Sequence, residues 1–338
     1  YYLFVSIITL SCTSAAKKQE EITKRQSELD SVALLYDVNT ADPNVDAFMR
    51  KLHTKSAFNG NVLVAKKGKI IYQNSFGWAN YLMKDSLHID SKFELASVSK
   101  PITSIAILQL IQAGKLQLDS PVDSLFPGLP YPGVTVRHLL SHRSGLPNYV
   151  NFVDRIWKDR RKAMSNIEAI NMIIEGKPNR EGKPDGRFHY NNTNYMLLGA
   201  IVEKVSGQEF DAYLQEHIFK PAGMKNSASL SRVKFAKIPT DVIGHDKIWR
   251  RSVVQDYLDG PVGDKGIYST VQDLYLLDRA LKDGRLLDSA LLDSAYMPHS
   301  DAKRGLFSYG YGWRTFTSGP NKIVYHTGWW HGFKSLYV

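Results

Sequence analysis

The chain of 338 residues contains a serine and a lysine at a spacing suited to nucleophilic catalysis, in the segment Ser97-Val98-Ser99-Lys100. Residues three apart on a helix lie on one face, so the hydroxyl and the amine can form a hydrogen bond. A serine hydroxyl is a weak nucleophile that needs a neighbouring base, and a desolvated lysine can be that base. Pro101 fits the first turn of a helix, whose dipole stabilises developing negative charge. We therefore predict Ser97 as a nucleophile and Lys100 as its activating partner.

Three other Ser-x-x-Lys segments show that the spacing alone is weak evidence. They begin at Ser14, Ser231 and Ser300 and lie in polar surroundings. Only Ser97 leads into a strongly apolar stretch, residues 102–111, which predicts a buried helix ended by Gly114. Such a helix fixes the serine rigidly and removes water from the lysine. The alternative is that Ser97 is an ordinary helix N-cap.

A second polar segment, Tyr190-Asn191-Asn192, stands just before an apolar helix predicted from Tyr195. A tyrosine hydroxyl near Lys100 can pass a proton from the nucleophile to a leaving group. The amide of Asn192 can hold the lysine and an amide of the substrate. This segment too is weak evidence by itself.

A third segment, His326-Thr327-Gly328, follows a predicted strand at residues 323–325. A cationic or hydrogen-bond-donating side chain at a strand edge can bind a substrate carboxylate. Glycine at such an edge permits close approach of another backbone. The sequence His-Thr-Gly occurs once in the chain.

In this order and with these long gaps, the three segments resemble the serine β-lactamases and penicillin-binding proteins. The closest resemblance is to the class C branch, which also contains D-alanyl-D-alanine carboxypeptidases, D-amino-acid peptidases and esterases. The resemblance runs from about residue 58 to residue 338 and includes the segments 139–147 and 263–266. The site residues that it implies are Ser97, Lys100 and Tyr190 for catalysis, Asn192, His326, Thr327 and Gly328 for substrate binding, and the backbone N–H groups of Ser97 and Trp329 for the oxyanion hole.

Strand and helix patterns predict an α+β fold. Alternating apolar residues predict a β-hairpin at 61–65 and 70–73, and further strands at 310–313, 323–325 and 333–338. Helical periodicity predicts helices at 102–111, 167–174, 195–205, 210–219 and from 270, with a capping box at 206–209. We therefore expect an antiparallel sheet flanked by helices, with an inserted all-helical lobe, as in the β-lactamase and transpeptidase fold. The resemblance also implies that the last strands and terminal helix of that fold are missing after Val338.

The predicted organisation has three parts. Residues 1–12 form an apolar run that ends at Cys12 and predicts a partial signal peptide. Residues 13–45 predict a charged tether, and residues 46–338 the hydrolase domain, with sheet regions at about 46–100 and 256–338 and a helical lobe at about 101–255. We expect lipidation of Cys12 and a membrane-anchored protein of the bacterial periplasm, exported across the inner membrane. The alternative is an ordinary signal peptide with an incidental cysteine.

The formal net charge is +10, which by itself suits an anionic partner. The basic residues are spread along the chain without a zinc-finger spacing or an RNA-binding aromatic signature, so we do not expect nucleic-acid binding. His138 and His142 are four residues apart but lack a third metal ligand, which favours structural roles. No metal or other cofactor is implied, because serine, lysine and tyrosine can complete acyl transfer alone.

The predicted function is hydrolysis of an amide, ester or β-lactam through an acyl-enzyme at Ser97. His326 stands where class C β-lactamases usually have lysine, which favours a D-alanyl-D-alanine carboxypeptidase or esterase, with a small molecule or peptide as substrate. One alternative is a class C-type β-lactamase. Another is a penicillin-recognising module that binds wall peptides or signals without turnover.

Overall fold

The computed structural model describes residues 41–235, 237–300 and 306–338. Cys12, the predicted signal peptide and most of the predicted tether lie outside the described residues. The first helix begins at Pro43, inside the segment predicted as a tether, because Asp42 accepts hydrogen bonds from two backbone N–H groups of its first turn. Among the described helices, none is long and apolar enough to span a bilayer.

The helices and strands alternate unevenly along the chain. The helices are α1 Pro43–Ser56, α2 Ser99–Gln112, α3 Val122–Leu125, α4 Val136–Leu140, α5 Tyr149–Val153, α6 Asn166–Gly176, α7 Asn192–Ser206, α8 Phe210–Leu214, α9 Lys220–Ala222, α10 Val271–Lys282 and α11 Ser289–Tyr296. A 3-10 turn at Ala96–Val98 precedes α2, and a second spans Tyr257–Asp259. The strands are β1 Gly60–Lys66, β2 Lys69–Phe76, β3 Trp78–Asn80, β4 Asp85–Ser86, β5 Phe93–Glu94, β6 Ala228–Ser229, β7 Ile267–Ser269, β8 Phe307–Tyr309, β9 Arg314–Ser318, β10 Asn321–Trp330 and β11 Phe333–Tyr337.

All strand pairs of the described residues are antiparallel. The largest sheet has the order β11-β10-β9-β8, β5-β7-β6 form a second, and β1-β2 and β3-β4 are hairpins. From Ser99 to Ala222 the named elements are all helices. The prediction of an α+β fold with helices inserted between sheet regions is therefore confirmed, although the strands divide into several sheets rather than one.

Helix α2 runs through the centre of the core, and every residue from Ser99 to Leu108 is buried. A helix that is apolar on all sides belongs in a protein interior. Its buried hydroxyls bond to main-chain carbonyls elsewhere: Thr103 Oγ1 to Gly263 O at 2.7 Å, and Ser104 Oγ to Tyr311 O at 2.6 Å. These bonds tie the helix to the loop before β7 and to the turn before β9.

Two local predictions were wrong. The capping box at 206–209 does not form, because Ser206 is the last residue of α7 and Gly207 closes that helix in the left-handed region, at φ +74°. Residues 310–313 are the turn between β8 and β9 rather than a strand, with Gly310 N donating to Trp313 O at 2.8 Å. In both places a glycine with a positive φ, Gly207 or Gly312, provides the turn.

Candidate active site

Ser97 lies in the 3-10 turn that leads into α2, and Lys100 follows in the first turn of the helix. The lysine is fully buried, and its Nζ donates a hydrogen bond to Ser97 Oγ at 3.0 Å. The contact predicted from the spacing is therefore present. Ala96, just before the serine, has a positive φ of 49°, a conformation that costs a non-glycine residue about 1–2 kcal/mol.

The amine of Lys100 has three hydrogen-bond acceptors from three separate parts of the chain. Besides Ser97 Oγ, Nζ donates to Asn192 Oδ1 at 2.9 Å and to the backbone oxygen of Asp264 at 2.8 Å. Asn192 and Asp264 can take two N–H groups of the amine, which leaves its remaining position directed at Ser97 Oγ. The arrangement can accept the serine proton without leaving a buried donor unpaired.

The ring of Tyr190 lies beside two cationic side chains. Its centroid is 5.1 Å from Lys100 Nζ and 5.0 Å from Cζ of Arg314, both within the range of a cation–π interaction. The structure thus brings Tyr190 to Lys100, as predicted. Arg314, which the sequence analysis did not identify, has a buried Nε without a hydrogen-bond partner among the described residues.

His142 holds the segment 189–194 in place. Its Nδ1 accepts hydrogen bonds from the backbone N–H of Asn191 at 3.2 Å and from Nδ2 of Asn194 at 3.0 Å. Burial lowers the pKa of His142 well below its ordinary value, so the ring is neutral and its proton is on Nε2. The ring centroid is 4.4 Å from that of Tyr190. These contacts agree with the structural role expected for His142.

Strand β10 passes directly over the turn that carries Ser97. A Cβ atom at Gly328 would overlap the backbone oxygen of Leu95 and Oγ of Ser335, and would lie 3.1 Å from Cβ of Ala96. Glycine is therefore required for the strand to come this close. Thr327 and Trp329 alternate with Gly328 and are exposed, as expected for residues that line a cleft.

His326 does not fit its predicted role as a cationic ligand for a substrate carboxylate. The side chain is fully buried, Tyr309 OH lies 3.0 Å from Nε2, and Thr327 O lies 2.8 Å from Nδ1. Burial, and then the charges of Lys100 and Arg314, lower the pKa of His326 well below its ordinary value. The imidazole is therefore neutral. Its Nδ1 donates a hydrogen bond to Thr327 O, and its Nε2 accepts one from Tyr309 OH.

A buried ion pair supports the backbone oxygen that Lys100 uses. Lys265 Nζ lies 3.3 Å from Asp264 Oδ2, and both side chains are nearly inaccessible to solvent. Tyr149 OH accepts a hydrogen bond from Lys265 Nζ at 2.6 Å and donates to Asp264 Oδ2 at 3.1 Å. Burial raises the pKa of Tyr149 well above its ordinary value, so the phenol keeps the proton that it donates.

A second charged cluster holds the turn between β10 and β11. His331 Nε2 lies 3.5 Å from Asp256 Oδ2, and His331 Nδ1 lies 3.2 Å from Asp259 Oδ2. Trp330 Nε1 donates a hydrogen bond to Asp259 Oδ1 at 2.7 Å. These three titratable groups are close enough together to hold a metal ion. Burial alone would lower the pKa of His331, but the two neighbouring carboxylates raise it to about 9. At neutral pH the imidazole is therefore a cation in an ion pair with the two carboxylates.

The comparisons with known proteins agree with this geometry. The sequence profile of the family described as Beta-lactamase matches residues 42–338. The chain belongs to the beta-lactamase family. Its structure is similar to that of a penicillin binding protein from Bacillus halodurans, with a TM-score of 0.74 and 30% identity over 85% of this chain and 89% of the other.

Two further relatives indicate the breadth of this family. Penicillin-binding protein 4* of Bacillus subtilis (strain 168) is 34% identical over 314 residues, which are 87% of this chain and 68% of the relative. The crystal structure of a D-amino acid amidase from Ochrobactrum anthropi SV3 has a TM-score of 0.67 and 25% identity, with 82% of this chain and 81% of the amidase covered. Together these matches support a serine hydrolase of the beta-lactamase family.

Three residues of the site were missed by the sequence analysis. Asp264 contributes a backbone oxygen, which no side-chain motif reveals, although the segment 263–266 was noted. Arg314 reaches the site because β9 pairs with both β8 and β10, so that it lies opposite Tyr309 on one side and Tyr325 on the other. The third residue is Tyr309, the hydrogen-bond partner of His326.

We predict that Gly328→Ala disrupts this beta-lactamase-type site. The added methyl group has no space between β10 and the nucleophile turn, so the strand must move and the Trp329 N–H moves with it. Loss of one oxyanion donor costs about a hundred- to a thousandfold in rate. We expect a loss of that size in the rate of acylation by a chromogenic β-lactam or thioester. Gly182→Ala is the matched control, because a Cβ there has only an ordinary contact of 3.7 Å, and an equal loss in both variants would contradict the prediction.

We predict that the contribution of His331 to stability depends on pH. Its folded-state pKa of about 9 lies above the value of about 6.5 expected in the unfolded chain. The folded state therefore binds the proton more tightly, and the stabilisation is complete below pH 6.5 and lost as pH rises through 9. In urea titrations, His331→Asn should lower the free energy of unfolding at pH 6 and have little effect at pH 10. Asparagine tolerates the positive φ of 40° at this position, and a difference that does not change with pH would contradict the prediction.

Proposed function

We propose that this chain hydrolyses peptides that end in a free D-amino-acid carboxylate, through an ester formed with Ser97, and that it is not a dedicated β-lactamase. The hydrogen bond from the buried Lys100 Nζ to Ser97 Oγ is the observation that carries the proposal. It places the hydroxyl of the proposed nucleophile within hydrogen-bonding distance of the amine that would take its proton, as acyl transfer requires. The similarity to penicillin-binding proteins and to a D-amino acid amidase supports the same chemistry.

In the proposed first step, Ser97 Oγ attacks the substrate carbonyl carbon and gives its proton to the amine of Lys100. The new C–O bond produces a tetrahedral oxyanion, which the backbone N–H groups of Ser97 and Trp329 would stabilise. The scissile C–N bond then breaks, and the leaving amine receives a proton through the hydroxyl of Tyr190. Asn192 and the Asp264 oxygen hold the lysine throughout.

In the proposed second step, water attacks the acyl carbon and loses a proton to the same Lys100 and Tyr190 pair. The ester bond breaks, Ser97 Oγ regains a proton, and the acid product leaves. The two steps use the same groups in reverse order, so no further catalytic residue is needed. An ester substrate can follow the same route with an alcohol as the leaving group.

Arg314 favours a substrate that carries a carboxylate. Its guanidinium lies beside Tyr190, where the leaving group must receive a proton, and its Nε has no hydrogen-bond partner among the described residues. Guanidinium groups match carboxylates with paired hydrogen bonds. Because His326 is neutral, we propose that Arg314 binds the C-terminal carboxylate of the peptide, with the exposed Thr327 hydroxyl as a second donor.

A position in the bacterial cell envelope is part of the proposal. For members of this chain's family, peptides that end in D-amino acids are found in the cell envelope. We propose export and a lipid anchor at Cys12, which mass spectrometry of the protein from a membrane fraction can test.

We predict that the full chain forms a covalent adduct with a penicillin at Ser97 and releases it slowly. Intact-mass measurements over time should show one added penicillin in the parent protein and none in Ser97→Ala. Ser231→Ala is the matched control, because Ser231 and Lys234 have the same spacing outside the site, and it should form the adduct normally. Rapid consumption of penicillin without an adduct would indicate a β-lactamase instead. Neither an adduct nor hydrolysis of D-alanine-ended peptides would indicate a module without turnover.

We predict that Arg314→Gln weakens recognition of the carboxylate specifically. A hydrogen bond to a charged group contributes about 1.5–3 kcal/mol, so KM for a D-alanine-ended peptide should rise roughly 10- to 100-fold. The C-terminal amide of the same peptide should be affected little, because it has no charge to lose. Lys334→Gln, an exposed cation on β11, is the control. Equal losses on acid and amide peptides would contradict the assigned role.

A further inference from the structure

Two hairpin tips meet at the surface of the protein. One tip, residues 81–84, joins β3 to β4; the other, residues 246–251, is closed by a bridge between His245 and Ser252. Tyr81 N donates to His245 Nε2 at 3.3 Å, and the two rings pack edge to face with centroids 4.9 Å apart. The guanidinium of Arg250 lies 4.9 Å from the Tyr81 ring centroid. We refer to residues 81–84 and 246–251 together as the hairpin-tip patch.

Large apolar side chains project from both tips of the patch. Leu82 is 83% exposed and Met83 67% on the first tip, and Ile248 is 78% exposed and Trp249 69% on the second. Single exposed apolar side chains are ordinary, but four on two adjoining tips form a concentrated apolar surface. Contacts among Tyr81, His245 and Arg250 hold the two tips together. The four exposed apolar side chains are therefore not needed to support the fold.

Basic side chains surround these apolar groups. They are Lys84, Lys247, Arg250 and Arg251, and none forms an ion pair with a carboxylate in the described part of the chain. The acidic residues at the same place are Asp85 and Asp246. The second of these is engaged locally, because its Oδ1 accepts a hydrogen bond from Trp249 N at 2.6 Å. Arg251 also lies over the Trp249 ring, 5.5 Å from its centroid.

We propose that the hairpin-tip patch docks onto the surface of an anionic phospholipid bilayer. Leucine, isoleucine, methionine and tryptophan side chains enter the boundary between head groups and acyl chains, while lysine and arginine bind the phosphates. A second copy of this chain is a poor occupant, because a symmetric contact would bring the same four cations together. An anionic lipid surface has the opposite charge and accepts the projecting tips without needing a matching groove.

Docking at this place would orient the catalytic cleft. The base of the second tip packs against the β10–β11 turn, since a Cβ at Gly244 would overlap the backbone oxygen of His331. That turn begins next to Trp329, whose N–H is assigned to the oxyanion hole. The patch would therefore hold one end of the cleft near the membrane surface. This proposal does not depend on the proposed peptidase activity or on lipidation of Cys12.

Vesicle flotation with the full, unlipidated chain tests the proposal. Binding should be strong to vesicles of phosphatidylglycerol and phosphatidylcholine at low salt, weak to phosphatidylcholine alone, and reduced at high salt. The double variant Leu82→Ser/Trp249→Ser should lose at least tenfold in partitioning, because two apolar side chains no longer leave water. Met297→Ser/Phe307→Ser, with exposures of 56% and 46% at other sites, is the matched control and should bind normally.

Quenching of tryptophan fluorescence by phosphatidylglycerol with brominated acyl chains gives a second readout. The parent protein should be quenched, and Trp249→Phe should lose that part of the quenching while still floating with vesicles. Residues 1–12 contain no tryptophan, so insertion of this segment into the bilayer would not produce the loss of tryptophan fluorescence. The far-UV circular dichroism spectrum and the melting temperature should be unchanged in every variant, which shows that the fold is intact.

Several results would overturn the proposal. Equal flotation of the parent and the Leu82/Trp249 variant, equal binding to neutral and anionic vesicles, or no difference in quenching between the parent and Trp249→Phe would each do so. No vesicle binding, together with a concentration-dependent dimer that the Leu82/Trp249 variant loses, would show that a second copy covers the patch. Retention on cell-wall glycan instead of vesicles would assign the surface to a polysaccharide.

Discussion

The buried amine of Lys100 is the constraint on which the site depends. Removing a lysine head group from water costs several kcal/mol unless its hydrogen-bonding capacity is satisfied. The chain satisfies it with three acceptors, Ser97 Oγ, Asn192 Oδ1 and Asp264 O, none of which carries a formal charge. The amine is therefore held in the core by neutral hydrogen-bond acceptors and not by an ion pair. Each acceptor comes from a different part of the chain, so α2, the start of α7 and the loop before β7 must all be placed correctly.

The surrounding structure serves to place these three acceptors. His142 fixes the start of α7, and with it Asn192, by accepting two hydrogen bonds from the same segment. The Asp264–Lys265 pair, closed by Tyr149, fixes the loop that offers the backbone oxygen. Breaking a buried pair by removing one partner costs about 3–5 kcal/mol, because the remaining charge is left unpaired. Polar groups that do not touch the reacting atoms thus determine the geometry of those that do.

The sequence predicted the parts of the site that depend on local spacing. Ser97 and Lys100 are three residues apart on one element, and the apolar residues after them required a buried helix. The contributions of Asp264 and Arg314 could not be predicted in this way. The first is a main-chain oxygen, and the second depends on strand register across β8, β9 and β10. The prediction for His326 did not account for its burial beside Tyr309 or for the charges of Lys100 and Arg314; burial and these charges keep the imidazole neutral. Charge state depends on burial, and burial is a property of the folded chain.

The close approach of β10 to the nucleophile turn links two positions that are far apart in sequence. The space between Gly328 and Ala96 accommodates one methyl group, and Ala96 supplies it. Glycine at 96 would relieve the positive φ of this residue, but it would leave an unfilled space beside the nucleophile and a more flexible turn. A larger residue at 96 would meet the same strand from the other side. Because Leu95 O and Ser335 Oγ also crowd position 328, glycine at 96 would not make room for a side chain there, and the residue that position 96 accepts is limited by the path of β10.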